Sequence, residues 1–347
     1  MVELKQLGME TFLKGRQIVE TSYEIGRVSF SSNGLYRVIA ARGEVQSRVS
    51  GKFYYETTVT RDFPCVGDWV LFEPLPGEAK GIIHDVLERK SLLSRHVAGE
   101  KNEEQLIAAN VDTVFLVSAL NQDFNLRRME RYLTQVYQSG ANPVFLLTKK
   151  DLCEDLDEKL KAVESIAFGV PTLAIDALHN EGLVELQAYI FEGQTVSLIG
   201  SSGVGKSTIV NQLLGQDFQK TQAVREEDAR GRHTTTHREL FVLPTGGVVI
   251  DTPGMRELQL WTGEESARAV FDEIEALSEK CRFRDCEHRK EPGCAVREAI
   301  ESGELDQERY QSYVKLQREA AFVELKEKYG TSRATRIQSQ RFRKLKN

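Results

Sequence analysis

Gly200-Ser201-Ser202-Gly203-Val204-Gly205-Lys206-Ser207 and, about fifty residues before it, Thr148-Lys149-Lys150-Asp151 decide the fold of this chain. The first stretch reads G-x-x-x-x-G-K-[ST], a loop whose backbone N–H groups converge on phosphate oxygens at a helix N-terminus. The second reads [NT]-K-x-D, whose carboxylate can accept both N1–H and the N2 amino group of guanine. In guanine-nucleotide domains this second element ordinarily follows the phosphate loop. Its place upstream means that one match is accidental or that the domain is circularly permuted.

The surrounding pattern alternates. Val111–Ala119 is a β-rich apolar run, and Leu126–Ser139 has helical spacing at Met129, Leu133, Val136 and Tyr137. Pro143–Thr148, Val170–Ile175 and Thr195–Gly200 read as further strands, and Lys206–Leu214 as a helix. Such alternation predicts a parallel sheet with helices on both faces. A hairpin, Glu239–Leu243 to Gly247–Ile250, then ends in Asp251-Thr252-Pro253-Gly254.

Each motif has a chemical role to offer. Lys206 reaches β- and γ-phosphate oxygens and is a catalytic candidate, Ser207 ligates Mg²⁺, and Thr208 faces the α-phosphate. Asp251 holds Mg²⁺ through water, and the Gly254 N–H senses the γ-phosphate. A threonine of Gly231-Arg232-His233-Thr234-Thr235-Thr236 is the expected second Mg²⁺ ligand, with Thr234 and Thr235 as candidates. Asp151 favours GTP over ATP: adenine offers an acceptor at N1 and no amino group at C2, a mismatch worth on the order of 10⁴ in discrimination. Read alone, Thr148–Asp151 is also an ordinary lysine-rich turn before a helix. Ile175-Asp176-Ala177 closes the next strand where a second base-contacting turn belongs, with Asp176 in place of the usual Ser.

At 347 residues, with 40% apolar and 28% charged residues, the chain has room for two or three globular domains. It has no run approaching the ~18 apolar residues of a membrane span, and its first twenty residues lack an apolar signal core, so a cytosolic protein is expected. The net charge of −6 opposes indiscriminate binding to nucleic acid, but Thr331–Asn347 carries six basic and no acidic residues. That tail reads as a solvated end or as an RNA-seeking arm. Of five cysteines, Cys65 and Cys153 are isolated and expected to be buried. Cys281, Cys286 and Cys294 share fourteen positions with His288, and such a group points to a metal in a reducing compartment. Three thiolates and an imidazole form a closed set suited to one structural Zn²⁺.

Between Tyr23 and Glu88 the chain reads as five short strands with no convincing helix: Glu24–Phe30, Leu35–Ala41, Glu44–Val49, Val66–Phe72 and Gly81–Leu87. Five strands suit a small closed barrel; an OB-fold and an SH3-like barrel fit the pattern nearly equally. Arg89–Ala109 reads as a polar connection. Beyond Trp261 the expectation is helical: Glu264–Leu277, Ala295–Glu301, and Gln307–Lys328 with a stripe at Tyr310, Tyr313, Val314 and Ala321.

These elements, in this order, resemble the circularly permuted, ribosome small-subunit-dependent GTPases of the RsgA, or YjeQ, family. The resemblance extends to Val66-Gly67-Asp68-Trp69-Val70, Ala109-Asn110-Val111-Asp112 and Cys281–His288 with Glu291-Pro292-Gly293-Cys294. It implies an α/β protein: a circularly permuted P-loop GTPase domain (110–262), preceded by an extension (1–22) and an RNA-binding OB-fold barrel (23–90). A helical zinc-binding domain (263–330) and the basic tail (331–347) follow. It also implies GTP hydrolysis in late maturation of the small ribosomal subunit, stimulated by that subunit, with the subunit and its rRNA as partners. A monomer is expected. Two departures bear on mechanism. Met255 follows Gly254 where many GTPases carry a water-orienting Gln, so His233 is the candidate to position water. Gly203 stands where some GTPases place a potassium-binding Asn. The rival reading is a non-catalytic assembly module that uses GTP only as a ligand; an ATPase is opposed by Asp151.

Overall fold

The structure, a computed structural model, describes residues 3–16, 22–96, 104–167, 169–215, 238–251, 271–283, 286–289, 291–307, 309–311, 313–314 and 317. A short helix, α1 (Met9–Leu13), precedes five strands: β1 (Glu24–Ser32), β2 (Leu35–Ala40), β3 (Gly43–Val49), β4 (Trp69–Pro74) and β5 (Lys80–Val86). They run in the order β1-β2-β3-β5-β4, and β4 returns to pair with β1, closing a barrel. The β3–β5 pair is parallel, which a simple meander cannot give, and the connectivity is OB-like. Inside it Val28, Val38, Val45, Val70, Phe72 and Ile83 form the core.

Two expectations for this region need correction. A helix, α2 (Gly51–Glu56), lies between β3 and β4, because the Ser50 hydroxyl caps it by accepting from the Phe53 N–H at 3.0 Å. It buries no residue, so no apolar stripe announced it. The connection after the barrel is not merely polar: β6 (Leu92–His96) and β7 (Glu104–Ala109) pair antiparallel. Their apolar residues are split between two clusters, Leu92 and Leu106 in one, Leu93 and Ile107 in another, and polar neighbours hide the pattern.

The second half is built on β8 (Thr113–Ala119), β9 (Asn142–Thr148), β10 (Thr172–Ala174), β11 (Thr195–Gly200), β12 (Arg238–Val242) and β13 (Val248–Asp251). Its helices are α3 (Leu126–Ser139), α4 (Leu156–Ile166), α5 (Leu183–Gln187) and α6 (Lys206–Leu214). The order β10-β9-β8-β11-β13 is parallel throughout, while β12 pairs antiparallel with both β13 and β1. Along β8, Val114 and Leu116 join one apolar cluster and Phe115 and Val117 another, so the sheet is covered on both faces. Asp112 fixes the start by accepting from the Thr195 N–H at 2.8 Å.

Barrel and sheet are joined by more than the β1–β12 pairing. Arg27, 2% exposed, donates to the carbonyls of Leu7, Gly67 and Asn110 at 2.5, 3.1 and 3.3 Å. Burial lowers its pKa to about 10, against the pull of Asp112 and Asp68. Asn110 donates back to Gly67 at 3.2 Å. The Val66–Val70 and Ala109–Asp112 segments therefore meet at this junction. Further on, α7 (Asp272–Ser278) and α8 (Ala295–Ser302) are the described helices of the C-terminal region, and residues 307, 309–311 and 313–314 continue helical.

Candidate functional site

The order of the sheet brings together what the sequence keeps apart. β8 lies between β9 and β11, so the turn after β9 and the loop after β11 share the carboxyl end of the sheet, where open α/β sheets bind ligands. There the Thr148 hydroxyl, 2% exposed, donates to the Val204 carbonyl at 2.6 Å. The phosphate loop needs its glycines: a Cβ on Gly200 would sit 2.2 Å from the Val117 carbonyl oxygen, and Gly205 has φ 99°. α6 begins directly after Gly205 with no side-chain cap, which leaves its first N–H groups for an anion. The Lys206 ammonium lies 2.6 and 2.7 Å from the Gly200 and Ser201 carbonyls, and Ser207 is exposed.

The base side is built from two turns. Lys149 adopts a left-handed φ of 59°, unusual for a side chain with a Cβ, and starts the turn that carries the exposed Asp151. The Lys150 N–H reaches the Ile175 carbonyl at 3.3 Å, and its ammonium lies 3.5 Å from Glu181. Asp176 is buried and organises the second turn. Its backbone N–H and C=O are both taken by Glu181, and Oδ1 accepts from the N–H groups of Leu178 and His179 at 2.9 and 3.3 Å. Oδ2 pairs with His179 Nδ1. This bond holds the Asp176 carboxyl below and the His179 imidazole above their ordinary values, and the charge of Asp151 adds to the latter. The Asp176–His179 pair was missed in the sequence, because its i,i+3 spacing marks no motif.

The expected ligands Thr234 and Thr235, the candidate His233, Gly254 and Met255 lie outside the described residues, as does the basic tail. Asp251 is placed by its backbone alone, at the end of β13 beside the strand that feeds the phosphate loop.

The second site is the cysteine cluster. Donor atoms of Cys281, Cys286, His288 and Cys294 lie within 4.8 Å of one another. Cys281 and Cys294 sulfurs are 3.9 Å apart, and His288 Nδ1 is 3.6 and 3.4 Å from them. A tetrahedral zinc with ligand bonds of about 2.3 Å (S) and about 2.0 Å (N) requires separations of roughly 3.8 and 3.5 Å, so these residues fit the metal. The other imidazole nitrogen lies 3.1 Å from the Ser278 hydroxyl, a partner that fixes the ring. Burial pushes the Cys294 thiol up to about 11 and lowers His288 below the usual histidine value. All five cysteines are free thiols; Cys65 is buried as expected, but Cys153 is only half-buried.

The cluster is seated on α3. Phe271, Ile274, Cys294, Val296, Ala299 and Tyr313 belong to the same apolar cluster as Met129 and Leu133. Arg309 lies 2.7 Å from both Glu130 on α3 and Glu273 on α7, with its guanidinium 4.4 Å over the Phe271 ring.

A family model described as RsgA GTPase matches residues 86–261. The small ribosomal subunit biogenesis GTPase RsgA 2 of Lactiplantibacillus plantarum is 47% identical over 92% of this chain and 90% of its own length. RsgA 1 of Oceanobacillus iheyensis is 47% identical over 87% of each. Among solved structures, YjeQ from Thermotoga maritima superposes with a TM-score of 0.64 at 29% identity, covering 86% of this chain and 98% of that one. YloQ, described as a circularly permuted GTPase, gives 0.61 at 28% identity, covering 88% and 98%.

Proposed function

The chain belongs to the RsgA GTPase family, and from that premise we propose that it hydrolyses GTP to GDP and phosphate as a switch in late maturation of the small ribosomal subunit, stimulated by that subunit. The observation that carries this reading is the Thr148–Val204 hydrogen bond, which sets the guanine-reading turn against the phosphate loop despite their inverted order. Asp151 reads guanine N1–H and N2, with Thr148 and Lys149 shaping its turn. Gly200, Ser201, Ser202, Gly203, Val204, Gly205 and Thr208 cradle the phosphates, and Lys206 exchanges its loop carbonyls for β- and γ-phosphate oxygens. Ser207 with Asp251 and Thr234 or Thr235 would hold Mg²⁺, which when bound would offset the charge developing on the phosphate oxygens. Met255 cannot orient water, so His233 or the subunit must; intrinsic turnover is therefore slow.

Cys281, Cys286, His288 and Cys294 would hold a structural zinc, which when bound would tie the C-terminal helices together. The domain limits are 23–90 for the barrel, 110–262 for the GTPase domain and 263–330 for the zinc domain. Contact with rRNA through the barrel, zinc domain and basic tail, a monomeric state and a cytoplasmic location complete the proposal; no described helix is long and apolar enough to cross a membrane. Nucleotide turnover with GTP or ATP, with and without purified small subunits, tests it. Stimulated GTP turnover supports the enzyme, tight GTP binding with flat turnover supports the assembly module, and preference for ATP overturns the guanine assignment.

A further inference from the structure

The α2 helix spends none of its aromatic residues on the core. Tyr54 is 68% and Tyr55 88% exposed, on a helix with no fully buried residue and only Phe53 half-buried. An exposed pair of large rings on a rigid element is more informative than a scattered surface leucine. The rings are supported from behind: Phe63 meets Phe53 and Tyr54 edge-on, each with centroids 5.9 Å apart. Exposed Arg48, Lys52 and Arg61 flank them in the chain, and among the described residues none of the three is held in an ion pair. Two carboxylates, Glu56 and the exposed Asp62, share the segment, while the neighbouring Arg89 is spoken for by Asp68 at 2.7 Å. Three cations against two carboxylates leave this segment with a formal excess of one positive charge, in a chain whose net charge is −6.

We propose that α2 is a stacking platform for unpaired RNA bases, with Tyr54 and Tyr55 taking the bases and Arg48, Lys52 and Arg61 the flanking phosphates. Aromatic faces beside cations are the general means of holding single-stranded RNA without sequence readout. The surface lies in the β3–β4 connection, away from the strand 2–3 face and the two loops that barrels of this type ordinarily use. The inference rests on the reading that the protein engages the small ribosomal subunit.

The full-length protein tests it by co-sedimentation with purified small subunits. Tyr54→Ala/Tyr55→Ala lowers affinity about tenfold, on the scale of one or two lost base stacks. Tyr54→Phe/Tyr55→Phe stays within about twofold, because stacking needs the ring and not the hydroxyl. Lys52→Glu weakens binding and flattens its salt dependence. Both tyrosine variants keep GDP affinity; the double phenylalanine variant keeps wild-type thermal stability, and the double alanine variant loses only the Tyr54 edge contact to Phe63. Photo-cross-linking from Tyr55→p-benzoylphenylalanine yields adducts to rRNA. Unchanged subunit affinity in the double alanine variant, or cross-links to ribosomal protein alone, overturns the proposal. If the wild-type chain fails to bind subunits, the functional reading fails instead. The surface is then decided by a uridine oligonucleotide: wild-type binding lost in the double alanine variant supports it, and no difference overturns it.

Discussion

Thr148 meets Val204 across 56 positions of chain, whereas the four donors of the metal cluster fall within fourteen. The proposed nucleotide site is framed by β8 and β11, strands whose every residue is buried and whose register is set by backbone pairing across the sheet. The metal cluster is a turn between two short helices, α7 and α8, with three thiols and an imidazole brought face to face. One frame is held by a sheet and receives its ligand; the other is completed by its ligand. The two sites therefore respond differently to losing what they bind.

Metal removal is the strongest way to break this contrast. Apparent binding free energies of about 10–16 kcal/mol stand behind structural zinc in small domains. Chelation, or Cys286→Ser, takes bound zinc from one per chain to none and accelerates hydrogen exchange across 271–307. GDP affinity changes by less than about twofold. Nucleotide affinity falling in step with zinc content sinks the distinction.

Asp151→Asn is the converse test. A preference for GTP over ATP on the order of 10⁴ collapses by at least about a hundredfold, since an amide cannot accept from both guanine donors. The same amide can donate to the C2 carbonyl of xanthine, so affinity for XTP rises. Zinc content stays at one per chain. Competition binding with GDP, ADP and XDP reads the outcome, and an unchanged guanine preference removes Asp151 from the base site.

A smaller effect sharpens how the two regions are tied. Arg309 and Glu130 form a nearly buried pair, their side chains 12% and 4% exposed. Arg309→Met leaves a buried carboxylate without this partner and costs about 3 kcal/mol in chemical denaturation. Arg309→Met with Glu130→Leu recovers most of it, because an apolar pair suits the cluster of Phe271 and Met129. GDP affinity is unmoved in both. Recovery that fails in the double variant places the role of Arg309 elsewhere.

How much of this was legible follows from the same contrast. The phosphate loop, α3, α6 and the cysteine spacing all announce themselves, because periodicity and motif are local properties. The sequence announced a parallel sheet but not its order β9-β8-β11, which sets the strands of the phosphate loop and the guanine turn on either side of β8. Three further things were hidden. β6 and β7 divide their apolar residues between two clusters, so neither shows a clean alternation. α2 has strand-forming aromatics and is set by one Ser50 cap. The Arg309 contacts to Glu130 and Glu273 join residues 179 and 36 positions apart, and no local pattern encodes them.

Two histidines carry the contrast into pH. His288, beside the thiols, is held below the usual value by burial, ready to ligate as a neutral ring. His179, beside the base turn, is raised, first by its bond to Asp176 and then by that carboxylate's charge. Asp176 is lowered, first by the same bond. A raised histidine contributes stability that is present below its unfolded value of about 6.5 and lost as pH rises through the folded value. A lowered carboxylate contributes above its unfolded value of about 3.9 and loses that as pH falls through the folded one. The tie is therefore complete between roughly pH 4 and 6.5 and loosens on either side. Asp176 Oδ1 keeps the Leu178 and His179 N–H groups whatever the charge on the ring, so the turn holds its shape at alkaline pH. GDP affinity then shifts by less than about twofold between pH 6 and 8. The His179 ring, followed by NMR, titrates above about 6.5, and Asp176→Asn lowers it most of the way back, the charge of Asp151 keeping a remainder. A ring that titrates at or below 6.5, or that ignores the Asp176 substitution, removes the pair from the organisation of the base turn.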